Sequence, residues 1–144
     1  MSLLEQLYKE TILEHYKRPR NSGALDPYTV KEEGLNPSCG DELELYLTLE
    51  NDTITDVKFT GEGCAISQAS TSMMTEAIKG KKVTEALGLS RDFKAMIQGK
   101  DTPDTLGDLK ALEGIAKLHA RVKCATLGWI TLEQALNADS SPSS

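Results

Sequence analysis

An α+β domain is the fold that this sequence predicts, and three patterns predict it. Apolar residues recur on a helical period near the N-terminus. Leucines then alternate with polar residues for the length of a strand, and helical periods return from Ser67 onward. The order is an N-terminal helix, a small antiparallel sheet of about three strands, then several packed helices.

Ser2-Leu3-Leu4-Glu5 has the form of a capping box, in which the serine oxygen accepts from a free backbone N–H and the glutamate reaches back. Leu4, Leu7, Tyr8 and Ile12 follow on one helix face. That helix should stop before Pro19, inside Lys17-Arg18-Pro19-Arg20-Asn21-Ser22-Gly23, a breaker cluster with a local basic patch. A loop or short edge strand leads to Gly34. Leu43, Leu45, Leu47 and Leu49 alternate with Glu44, Tyr46, Thr48 and Glu50, the period of a strand with one buried face. Leucine is a weak strand former, so pattern decides over propensity. Asn51-Asp52 turns the chain into a returning strand, Ile54 to Thr60, with Val57 and Phe59 on one face. Gly61-Glu62-Gly63 ends it.

Ser67 to Ile78 reads as a helix through Ala69, Met73, Ala77 and Ile78, closed by Gly80. Val83 to Gln98 reads as one or two helical pieces, interrupted near Gly88-Leu89-Ser90. Thr102-Pro103-Asp104 is a turn, and Leu106, Leu109, Leu112 and Ile115 suggest a short packed helix. A last helix runs from about Ala125 to Leu136. Residues 1–137 form one domain, and residues 138–144, ending in Ser-Ser-Pro-Ser-Ser, form a disordered tail.

A chain of 144 residues can bury a core without a covalent staple. Sixteen Lys+Arg against 22 Asp+Glu leave a net charge of −6, which argues against nucleic acid or an anionic membrane as the main partner. No stretch approaches the ~20 uninterrupted apolar residues of a membrane span, and the N-terminus lacks a basic leader followed by an apolar core. Three cysteines, an odd and small number, argue against a disulfide framework and fit a reducing compartment. The expected location is the cytoplasm.

Those cysteines lie in the three segments able to carry chemistry: Asn36-Pro37-Ser38-Cys39-Gly40-Asp41, Gly61-Glu62-Gly63-Cys64-Ala65-Ile66-Ser67 and Arg121-Val122-Lys123-Cys124-Ala125-Thr126. Each cysteine is expected at a boundary of secondary structure, where loop ends on a rigid scaffold can converge. Cys39 and Asp41 point to the same side of an extended chain, and Gly40 between them permits an unusual dihedral. If Cys64 and Cys124 join them, four anionic ligands surround one point. Such a set suits tetrahedral zinc, and iron or an iron–sulfur cluster also takes thiolates. The plainer alternative is that the cysteines fill the core, as free cysteine often does. Against it, each is flanked by glycine, carboxylate or basic residues.

A divalent ion on four anionic ligands keeps two negative charges in excess. Arg121 is the candidate to offset them, by hydrogen bonding to a thiolate or carboxylate, whereas Lys123 reads as a solvated surface residue. His119, near Cys124, is a lesser candidate ligand. His15 reads as structural or surface, and Met73 and Met74 as core filler. No phosphate-binding loop, dinucleotide fingerprint or Ser-His-Asp set is present.

Together these segments resemble the iron–sulfur cluster assembly proteins of the IscU/NifU-N group, and most closely its SufU branch. The matching residues are Asn36-Pro37-x-Cys39-Gly40-Asp41, Gly63-Cys64-Ala65-Ile66-Ser67-x-Ala69-Ser70 and Arg121-x-Lys123-Cys124-Ala125-Thr126-Leu127-x-Trp129. His15-Tyr16-x-x-Pro19-Arg20-Asn21 matches the end of that family's first helix. The resemblance runs from Leu3 to about Leu136. It implies an IscU/SufE-like fold, with zinc on Cys39, Asp41, Cys64 and Cys124. It also implies a cysteine desulfurase partner that delivers persulfide sulfur to Cys39, and downstream iron–sulfur assembly proteins. In that branch a histidine of the partner can replace Cys39 on the metal and free it to attack. The chain is then a sulfurtransferase-like relay rather than a stand-alone enzyme.

Two departures from the IscU branch matter. Lys123 stands where that branch has histidine, and Lys117-Leu118-His119-Ala120-Arg121-Val122-Lys123 replaces its Leu-Pro-Pro-Val-Lys chaperone motif. Both favour zinc-dependent sulfur transfer. The alternative is a scaffold on which a [2Fe–2S] cluster is assembled on the same residues and passed to apoproteins.

Overall fold

The structure, a computed structural model, describes residues 3–37, 40–100 and 103–140; of residues 3–9 and 138–140 only the backbone is described. Along the chain lie α1 (Leu3–Lys17), β1 (Val30–Asn36), β2 (Asp41–Glu50), β3 (Thr53–Glu62), α2 (Ala65–Ile78), α3 (Val83–Ile97), a 3-10 segment (Asp104–Lys117) and α4 (His119–Ser140). The capping-box serine, Ser2, lies outside the described residues.

The alternating leucines build the sheet. Leu43, Leu45 and Leu47 are buried, and β2 pairs antiparallel with β3, Leu45 opposite Phe59 and Leu47 opposite Val57. Asn51 and Asp52 take φ of 50° and 62°, the two left-handed residues that a two-residue type I′ hairpin turn needs. A register shift at Thr48/Leu49 changes the phase, so Ile54 joins Val57 and Phe59 in the core although it is out of step with them. β1 forms one edge of the β1-β2-β3 sheet and runs two residues past Gly34. Its last pair sets Asn36 opposite Asp41. At the other edge the breaker cluster after α1 pairs with β3. Phe59 N–H donates to the Asn21 carbonyl and Gly23 N–H to the Phe59 carbonyl, which covers an edge that would otherwise invite foreign strands.

α2 is the central helix, with nine of its residues buried from Ser67 to Ile78. Small side chains let neighbours approach, and the buried hydroxyls find partners. Thr71 donates to the Ser67 carbonyl and Ser70 to the Ala125 carbonyl, while Ser72 accepts from Arg20 N–H. α4 packs across the sheet, so tightly at Gly34 that a Cβ there would collide with Thr131 Oγ1. α3 closes the core from the far side, where Phe93 stacks on Trp129 at 4.9 Å between ring centroids. Met73 and Met74 are core residues.

The helical second half departs from the sequence reading at α3 and α4, and refines it between them. α3 is continuous through Gly88-Leu89-Ser90. A helical glycine costs about 1 kcal/mol, less than the burial of Ala86, Phe93 and Ile97 along one face returns. The segment holding Leu106, Leu109, Leu112 and Ile115 is a 3-10 helix, kinked at Gly107. Beyond the kink a spacing of three puts Leu109, Leu112 and Ile115 on one side of a helix with three residues per turn, and these three and Leu106 are buried. α4 begins at His119, six residues before Ala125, because nothing between His119 and Cys124 breaks a helix. It also continues to Ser140, into the stretch expected to be a tail. Residues 141–144 lie outside the described residues. No helix among the described residues is long and apolar enough to cross a membrane.

Candidate metal centre

Three elements end at one point. Asp41 opens β2 in phase with Leu43, Leu45 and Leu47, so the period that buries the leucines also turns its carboxylate inward; it is 1% exposed. Cys64 is the N-cap of α2, where its sulfur accepts from the Ser67 N–H at 3.4 Å. Cys124 lies fully buried in the second turn of α4. This corrects the expectation that it precedes the last helix. The carbonyl of the next residue, Ala125, accepts from Ser70 Oγ at 2.6 Å, which pins this turn of α4 to α2.

The ligand atoms of Asp41, Cys64 and Cys124 all lie within 4.8 Å of one another. Neutral donors hold the carboxylate. Cys64 N–H donates to Asp41 Oδ1 at 2.9 Å, and Asn36 Nδ2 donates to Oδ2 at 3.4 Å. Asn36 Nδ2 is also 3.9 Å from Cys124 Sγ. Gly63 makes the arrangement possible, since a Cβ there would stand 2.5 Å from Asp41 Oδ1. No lysine or arginine among the described residues forms an ion pair with Asp41.

The donor set fits a small, thiophilic divalent cation. Zinc bonds of about 2.3 Å to sulfur and 2.0–2.2 Å to oxygen place tetrahedral donors about 3.4–3.8 Å apart, a slight contraction from the span found here. A carboxylate and two thiolates gathered this closely repel one another, and a divalent ion between them removes that repulsion.

Of the four residues expected to converge, Asp41, Cys64 and Cys124 do. Cys39 lies outside the described residues; Gly40 beside it has φ of 72°, the unusual dihedral expected of it. Arg121 and Lys123 are exposed on the opening turns of α4. His119 is exposed at the first position of α4 and is not among the three converging donors. His15 sits elsewhere, buried between α1 and α2, with Nδ1 2.8 Å from Ser72 Oγ and Nε2 3.5 Å from Glu76 Oε1. Burial and then the nearby Arg20 hold its pKa below the usual histidine value, against an upward pull from Glu76.

Sequence reasoning missed Asn36, which was part of a motif but had no role. Its signal was register. Once β1 is carried past Gly34 and β2 back to Asp41, a tight β1–β2 connection sets Asn36 across from Asp41.

Comparisons with known proteins give the family. The chain is 50% identical over 135 residues to the zinc-dependent sulfurtransferase SufU of Bacillus subtilis, covering 92% of this chain and 91% of that protein. It is 42% identical over 138 residues to the iron–sulfur cluster assembly scaffold protein IscU of Streptococcus pyogenes, covering 94% and 86%. Among solved structures, the SUF-system protein FiSufU of Fervidobacterium islandicum superposes with a TM-score of 0.87 at 42% identity, over 92% of this chain and 98% of that one. The family profile of NifU-like N-terminal domains matches residues 7–139. With a family profile, a sequence and a fold that all agree over nearly its whole length, this chain belongs to the NifU-like N-terminal domain family.

Proposed function

We propose that this chain is an iron–sulfur cluster biogenesis protein that binds zinc on Cys39, Asp41, Cys64 and Cys124 and accepts persulfide sulfur on Cys39 from a cysteine desulfurase. The observation that carries the reading is the convergence of Asp41, Cys64 and Cys124 on one point, with the Asp41 carboxylate held by the Cys64 backbone N–H and the Asn36 side-chain amide. The likeness to a zinc-dependent sulfurtransferase supports it. Bound zinc would keep its sulfur ligands deprotonated at neutral pH.

The chain's own residues supply the rest. The strand, the helix cap and the buried turn of α4 hold Asp41, Cys64 and Cys124 in place. Cys39, in the Pro37–Gly40 connection, is the thiol released when the desulfurase docks. Its thiolate attacks the outer sulfur of the desulfurase persulfide, the S–S bond breaks, and the inner sulfur leaves as the desulfurase thiolate. The sulfur now on Cys39 is a persulfide, so no external oxidant or reductant enters the step. Arg121 offsets the excess negative charge, and downstream iron–sulfur assembly proteins receive the sulfur.

The test is alanine release from cysteine by the desulfurase, under reducing conditions, with wild type or each Cys→Ala variant added in turn. Cys39→Ala should leave turnover at its unassisted level, and persulfide should be found on wild-type Cys39 by mass spectrometry. Stimulation by Cys39→Ala equal to wild type removes the acceptor assignment. The second reading, assembly of a [2Fe–2S] cluster on the same residues, is favoured by the likeness to scaffold proteins. A cluster reconstituted with iron and desulfurase, and passed intact to an apoprotein, would establish it.

A further inference from the structure

We infer that Asn36 is the positioning residue of the metal centre: its side-chain amide aims the Asp41 carboxylate and anchors the Cys124 sulfur at the same time. The inference rests on the reading of Asp41, Cys64 and Cys124 as metal ligands, and adds the device that holds them before any ion arrives.

Asn36 ends β1, is 6% exposed, and faces Asp41 across the β1–β2 pair. Its Nδ2 lies 3.4 Å from Asp41 Oδ2 and 3.9 Å from Cys124 Sγ. Both neighbours are acceptors when ionised, so the chemistry fixes which end of the amide points at them. An NH2 group has two hydrogens, one for each. Asp41 Oδ1 is already taken by the Cys64 N–H. With Oδ2 held by Asn36 the carboxylate can neither spin nor withdraw, and each oxygen keeps a lone pair for a metal. The amide ties β1 to α4 through Cys124, and the Cys64 N–H ties β2 to α2 through Asp41. The Ser67 N–H on Cys64 Sγ completes a bonded chain through all three ligands.

A neutral donor is the right chemistry for this position. A lysine or arginine at position 36 would neutralise the carboxylate and compete with the cation. An aspartate would add a further negative group. The amide orients without cancelling the charge that attracts the metal, and partners of this kind set metal affinity by about 10–100-fold.

The experiment measures zinc affinity by competition with a chromogenic chelator, and the absorption bands of the cobalt-loaded protein, for wild type, Asn36→Ala, Asn36→Leu and Asn21→Ala. Asn36→Leu keeps the volume and loses the donor, so it serves if the smaller alanine fails to fold. Asn21→Ala removes a different part-buried amide, which donates to Thr75 Oγ1 at 3.0 Å far from the ligands in the fold. We expect zinc affinity to fall about 10–100-fold in both Asn36 variants, with shifted cobalt bands, and both readouts to stay at wild type in Asn21→Ala. Wild-type affinity and bands in a folded Asn36 variant would overturn the inference while leaving the metal site standing. An equal loss in Asn21→Ala would also overturn it, by showing a general effect of stability. Wild type that binds neither zinc nor cobalt would instead remove the metal site itself, and the inference with it.

Discussion

Asp41 and Glu133 are both carboxylates drawn in from solvent, and their surroundings differ in one respect. Glu133, on α4, faces α3. Lys94 Nζ lies 2.7 Å from its Oε1 and 3.1 Å from its Oε2, and Ser90 Oγ donates to Oε1 at 2.6 Å. Burial raises its pKa, but the hydrogen bonds from Lys94 and Ser90 outweigh that and leave the group below the usual glutamate value. Its charge is balanced inside the fold, and its work is to join two helices. Asp41 is held as firmly, but by the uncharged amides of Cys64 and Asn36, against two sulfurs. No lysine or arginine among the described residues forms an ion pair with it. A buried anionic group with hydrogen bonds but no counter-charge is a place for a cation, whereas one with a lysine on it is a joint.

The largest effect expected from this contrast is on metal and melting temperature together. A ligand present at 100 times its dissociation constant stabilises by about 2.7 kcal/mol, or about 5–11 °C for a chain of this size. Chelation should lower the wild-type Tm by that amount, and should do nothing to Asp41→Ala, whose zinc content should be near zero. Glu133→Ala should keep both full zinc and the chelator shift. A zinc-free Glu133→Ala, or a zinc-loaded Asp41→Ala, breaks the comparison.

A smaller effect comes from crowding the carboxylate without touching a ligand. Gly63→Ala should cost about 1–3 kcal/mol, because the new methyl group cannot sit 2.5 Å from Asp41 Oδ1 without displacing it. Zinc should dissociate faster from this variant. Gly114→Ala, whose Cβ would meet nothing within 4 Å, should change neither urea midpoint nor zinc release.

Glu133→Gln should be milder, at about 1 kcal/mol, since the pair is partly exposed and the amide still reaches Ser90. Equilibrium urea unfolding reads this directly, and zinc content should not move.

The smallest effects are in pH dependence, measured on metal-free protein so that metal release does not enter. The folded-state pKa of Glu133 lies below its unfolded value of 4.5. Its contribution is therefore complete above that pH and is lost as pH falls through the folded-state pKa. The difference in stability between wild type and Glu133→Gln should shrink on acidification below about pH 4.5. His15 also has a lowered pKa, from 6.5, so the unfolded chain takes up its proton first. Stability should fall as pH drops below 6.5, and His15→Gln should remove that slope. A stability that rises on acidification there would reverse the assignment.

The sheet and its hairpin were legible because both depend on local chemistry. Period-two leucines and an Asn-Asp turn need no knowledge of the rest of the chain. The second half was less legible. Leu106, Leu109, Leu112 and Ile115 mark a short packed helix, but their spacing alone does not say that it is 3-10 or that the chain kinks at Gly107. Gly88 and Ser90 look like an interruption of α3 until Glu133 is seen accepting from Ser90 Oγ.

The candidate site divides in the same way. The sequence by itself determined which residues are the candidates, since each thiol and Asp41 lies beside glycine, carboxylate or basic residues, and it determined the strand phase that turns Asp41 inward. Tertiary structure decided that Asp41, Cys64 and Cys124 meet, since their separations along the chain say nothing about distance in space. It also placed Cys124 within α4 rather than ahead of it, and set Asn36 against both Asp41 and Cys124. The physical reason is reach. Periodicity and capping act over one or two turns of chain, whereas this centre is made by strand register and by a helix packed across the sheet, which are set only when the whole core closes.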